Sequence, residues 1–144
     1  MKDPFGGLLL NIAFRMLVPF SLVYAVYVLI LGESSPGGGF QAGVVLGFGI
    51  VLARLIMGED SSLFNIRTTT TLVLAGVGTF IYSLAGWLTL LGDGFLPFAA
   101  EKTNELHALG ILIIEIGVTM CVMMTILNIM DAVVKRSEDD GSAE

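Results

Sequence analysis

The chain has 144 residues, 55% of them hydrophobic and 14% charged, with a formal net charge of −6. A soluble domain carries about a quarter charged residues, and here the few charges gather between long apolar runs, the pattern of a multi-span membrane protein. Seven Lys plus Arg scattered among those runs supply no basic face for nucleic acid, and a single cysteine, Cys121, excludes an internal disulfide or a thiolate metal cage.

A spanning helix needs about 20 mostly apolar residues. The first run that long is 8–31, "LLLNIAFRMLVPFSLVYAVYVLIL", preceded by Asp3 and Pro4 in the order of a cap and a first helical position. Met1–Leu10 carries one lysine and one aspartate and no small-residue cleavage site follows, so the segment reads as a retained span. Pro19 removes a backbone donor inside it and is expected to kink it. Three further spans are expected at 40–57, 70–91 and 105–134. Trp87 and Phe95 read as interface anchors beside the third, and Asn11 and Asn128 as interhelical hydrogen-bonding groups. The predicted fold is an all-α integral membrane protein: a four-span domain over 1–134 and an acidic tail over 135–144. The end of that tail, "RSEDDGSAE", has the composition of a solvated, disordered segment.

Basic residues orient the spans. Lys2, Arg15, Arg54, Arg67, Lys135 and Arg136 fall on one side and Lys102 alone on the other. The positive side normally faces the cytoplasm, so both termini are expected there.

The connection between the first two spans is "GESSPGGGF", Gly32–Phe40, followed by Gly43, Gly47 and Gly49. Glycine permits a tight reversal and close backbone approach, and Gly43 with Gly47 forms the G-x-x-x-G spacing that lets helices touch in lipid. A phosphate-binding loop would follow a strand and carry Lys-Ser or Lys-Thr; neither condition holds here. Pro36, Gly37, Gly38, Gly39, Phe40, Gly43 and Gly47 therefore read as a packing and assembly motif.

This stretch, with "IIEIGVTMCVMMTIL" at 113–127, resembles the B-type component of Mrp-type (Mnh-type) multisubunit cation/proton antiporters. The resemblance covers most of the chain, with one departure at Leu31, where many relatives carry a histidine. It implies a small, non-catalytic membrane subunit of a complex exchanging Na+ or another monovalent cation for H+. Its partners would be the other membrane subunits and the lipid bilayer, and no cofactor is implied. The equivalent subunit of a redox-driven hydrogenase or sulfur-reducing complex is the alternative the resemblance leaves open.

Glu115 is the leading ion-path candidate. The sequence places it near the middle of the fourth span, where a charge is costly and is kept for function or paired. The blander role is a neutral carboxyl hydrogen-bonded across an interface. His107 precedes it by two turns, about 80° around the helix and about 12 Å along it. It reads either as part of the same wet path or as an interfacial histidine. Arg15 and Arg54, near the basic ends of their spans, either snorkel or pair with an acidic group on a neighbouring helix or subunit. Met120, Cys121, Met123 and Met124 offer soft ligands that could suit copper, but methionine in an apolar helix is ordinarily packing. Two other classes stand further off. A small autonomous transporter would use Glu115 as its carrier, and a membrane enzyme would need a catalytic cluster that the sequence does not contain.

Overall fold

The computed structural model describes residues 8–32, 36–57, 66–90 and 105–141. They form helices α1 (Leu8–Ile30), α2 (Gly39–Met57), α3 (Thr68–Leu90) and α4 (Glu105–Gly141). All four are long and apolar enough to cross a membrane. The expectations that fall on Asp3, Pro4, Lys2, Phe95 and Lys102 lie outside the described residues, as do those on the side chains of Asn11 and His107.

Helix ends follow from local chemistry. Gly38, at φ +130°, occupies a backbone region that side-chain-bearing residues rarely enter. Its carbonyl accepts the Ala42 N–H at 3.0 Å and so opens α2. The Arg67 carbonyl does the same for α3, accepting Thr70 N–H at 2.8 Å and Thr71 N–H at 3.1 Å. α1 runs through Pro19 as one helix.

The contacts fix the topology. Gly49 of α2 lies against Ser21 and Leu22 of α1, and Gly37 lies against Val28, so α1 and α2 are antiparallel. Gly39, Gly43 and Gly47 meet Glu115, Thr119 and Ile126 in turn, so α2 and α4 run parallel. Gly78 of α3 meets Gly117 and Cys121, while Thr71 bonds Asn128, so α3 is antiparallel to α4. The packing order is thus α1–α2–α4–α3, with α4 between α2 and α3. Val51, Met124 and Leu127 form the buried core, with Ile50, Leu74, Ala75, Met123, Ile126 and Met130 around it. Met123 and Met124 are packing residues in this arrangement. Most outward positions are large and apolar, among them Phe20, Val23, Phe80 and Trp87.

One helix end differs from the sequence reading by more than two residues. α4 does not stop at Val134 but continues to Gly141, so the start of the acidic segment is helical. Extending an existing helix costs far less than nucleating one, and Lys135, Arg136 and Glu138 are good helix formers.

Candidate functional site

The α1–α2 connection closes around one carboxylate. A methyl group placed on Gly32 would lie 2.5 Å from Glu115 Oε1 and 2.9 Å from Oε2, and one on Gly38 would lie 3.2 Å from Oε1. At Gly39 the added carbon would overlap the Glu115 backbone, 2.8 Å from Cα and 2.9 Å from the carbonyl carbon. Three glycines therefore leave the space that the Glu115 side chain and its helical turn occupy, and any side chain there would displace them.

The contact continues along α2 as a smooth edge. At Gly43 an added carbon would sit 2.8 Å from the Thr119 carbonyl oxygen and 2.9 Å from Val122 Cβ; at Gly47 it would sit 3.1 Å from Ile126 Cβ. Thr119, 5% exposed, fixes the top of this seam. Its hydroxyl lies 2.9 Å from the Gly39 carbonyl oxygen and 2.7 Å from that of Glu115, and both are acceptors. Threonine, four residues after Glu115, shares its face of the helix.

The seam changes two expectations. Gly39, Gly43 and Gly47 are occupied by this chain's own α4, whereas Pro36, Gly37 and Phe40 remain exposed. Glu115 also lies level with the first residue of α2, beside the glycine connection, and not midway along the span. It is the seventh residue of the 109–137 stretch of α4 suited to a membrane. Apolar letters flank it on both sides, but the parallel packing on α2 decides its level.

A second polar cluster occupies the opposite end. Arg54 Nη1 donates to Asp131 Oδ1 at 2.7 Å, with the two side chains 20% and 19% exposed. Thr68 Oγ1 is 3.5 Å from Asp131 Oδ2 and accepts from Lys135 Nζ at 3.3 Å. Below it the Thr71 hydroxyl, fully buried, lies 2.6 Å from Asn128 Oδ1. Arg54 thus finds its acidic partner on α4 of the same chain. Arg15 stands exposed near the same end of α1.

Sixteen residues separate Glu115 from Asp131, about 24 Å of helix, so the two clusters are distinct. The sequence reading missed Asp131, Thr119, Thr68 and Thr71. A signal for Asp131 exists: Arg54 follows Gly39 by fifteen residues and Asp131 follows Glu115 by sixteen, equal depths once α2 and α4 are known to be parallel. Among the described residues no group of three or more His, Cys, Asp or Glu side chains could hold a metal.

Four membrane-length helices, a glycine seam and an enclosed carboxylate define a small multi-span helical membrane protein. Comparison with known sequences makes the assignment specific. The chain belongs to the family described as a domain related to the MnhB subunit of Na+/H+ antiporter, which matches residues 9–128. It is also similar to the B component of the Na(+)/H(+) antiporter of Bacillus subtilis (strain 168), with 25% identity over 140 residues covering 84% of this chain and 93% of that protein. The relative is a transporter component, and these matches do not favour the hydrogenase-type alternative.

Proposed function

We propose that this chain is the small B-type membrane subunit of a multisubunit antiporter that exchanges Na+ or another monovalent cation for H+. It contributes to assembly and to the coupling of the ion path. The observation that carries the site reading is the enclosure of Glu115 by Gly32, Gly38 and Gly39. An ionisable side chain that faces the interior of a membrane bundle is costly and is retained where it is paired or handles ions or protons. Glu115 is the ion-path residue in this reading, with His107 two turns toward the start of α4 as the second candidate.

The orientation rests on basic residues. Arg54, Arg67, Lys135 and Arg136 lie at or beyond the same end of the bundle, with Arg15 near it, so this end faces the cytoplasm and carries both termini. The glycine connection and Glu115 then lie toward the outer face of a prokaryotic plasma membrane. Pro36, Gly37 and Phe40, which keep exposed surface even though Gly37 also lies against Val28, contact neighbouring subunits.

Glu115→Gln tests the site reading. In vesicles carrying the whole complex, the variant assembles to parental amounts and shows lower exchange or a displaced pH profile. Unchanged exchange across pH in a fully assembled complex removes Glu115 from the ion path.

A further inference from the structure

Threonine within a membrane helix ordinarily returns its hydroxyl proton to the carbonyl one turn back. Thr79 does so to Ala75 at 3.0 Å, while also lying 3.2 Å from Cys121 Sγ of α4, and Thr125 does so to Cys121 at 2.8 Å; both side chains are exposed. Thr119, like Thr71 with its bonds to Thr68 and Asn128, combines burial with a partner on another helix. It is buried at 5% exposure, and besides the Glu115 carbonyl its hydroxyl also reaches the Gly39 carbonyl on another helix. The two acceptors are not arbitrary: one belongs to the residue whose carboxylate lies in the glycine connection, the other to the residue where that connection becomes α2.

We infer that Thr119 is a positioning residue for Glu115, its hydroxyl tying the helical turn that carries the carboxylate to the glycine connection that encloses it. The inference deepens the proposed function and rests on Glu115 being in the ion path. The hydroxyl has one proton and two carbonyls within reach, 2.7 Å and 2.9 Å away. A small displacement of α2 against α4 therefore exchanges one acceptor for the other without leaving the buried donor unpaired. Gly43 makes the tie possible, because an added carbon there would lie 3.2 Å from Thr119 Cα and push the turn away. The described groups facing this turn include Gly32, Gly38 and Gly39 from the α1–α2 side, with Gly78, Ile81 and Tyr82 of α3 beside Gly117. Glu33, Ser34 and Ser35 in the connection lie outside the described residues.

The test compares Thr119→Val, Thr119→Ser and Glu115→Gln in vesicles carrying the full complex, with Na+/H+ exchange per assembled complex read across pH. Because the bond is to backbone and not to the carboxylate, its loss displaces the half-maximal point by at most about 0.5–1 pH unit. The valine variant is expected to show that displacement and the serine variant to restore the parental profile. If the valine and parental profiles superimpose while Glu115→Gln alters exchange, the positioning role is refuted and the Glu115 reading stands. If Glu115→Gln changes nothing, the underlying reading fails and this inference fails with it. Should the valine variant not assemble, Thr119→Ala removes the same hydroxyl with less bulk. Failure of both to assemble, with serine assembling, makes Thr119 a structural residue and overturns the inference.

Discussion

Replacing Gly43 with alanine tests the α2–α4 seam by adding one carbon. That carbon would lie 2.8 Å from the Thr119 carbonyl oxygen and 2.9 Å from Val122 Cβ. Ordinary contact begins near 3.4 Å, so the helices must separate by about 0.5 Å at this level, an overpacking that costs about 1–3 kcal/mol. Alanine also favours the helix over glycine by about 1 kcal/mol, which would mask part of that cost. Gly76 supplies the control, because a carbon added there meets nothing within 4 Å. Gly76→Ala gains the same propensity without the clash, so the difference between the two variants isolates the clash. For a chain of this size, 1 kcal/mol corresponds to about 3–4 °C in melting temperature. The two proteins, purified in mild detergent and heated while helix content is followed by circular dichroism, should therefore melt at least about 3 °C apart, with Gly43→Ala lower. Coincident melting curves would refute the close approach of α2 and α4.

The remaining predictions use other contacts. Arg54→Gln and Asp131→Asn should each destabilise the chain by about 1–3 kcal/mol, between the values for surface and buried pairs. The exchange Arg54→Asp with Asp131→Arg should recover part of that loss, and no recovery in thermal melting would mean the pair contributes nothing. Thr71→Val removes the 2.6 Å bond to Asn128 and should cost about 0.6 kcal/mol, the mean for interhelical hydrogen bonds in a membrane; a loss above about 2 kcal/mol would point to a larger network there. Phe40, 64% exposed, should tolerate alanine in the isolated chain yet lower the amount of assembled complex on native gels. Equal assembly would remove Phe40 from the intersubunit contact.

Much of the fold was legible because lipid imposes strict conditions. Four runs of sufficient apolar length predict four helices, and the match extends to the start of α4 at Glu105. The Gly43–Gly47 spacing pointed to close helix contact, but hydropathy could not say with which helix. A helix apolar on nearly all sides has no stripe to mark its partner, so pairing with α4 emerged only from the packing. The same gap hid Asp131 as the partner of Arg54 and misjudged the level of Glu115. Thr119 was unreadable for another reason. A threonine in a helix usually satisfies itself locally, and only the packing brings the Gly39 carbonyl within reach of this one. The helical extension to Gly141 was missed because acidic composition argues for disorder in isolation, whereas here it continues a helix already formed.

The most direct test of the central claim is to purify the assembly from native membranes through a tag on this chain, identify its components by mass spectrometry, and reconstitute it for Na+-dependent proton flux. The account predicts large multi-span membrane partners, no iron–sulfur or nickel proteins, and proton flux driven by a sodium gradient. A stable oligomer of this chain alone, or redox partners with no such flux, would contradict it.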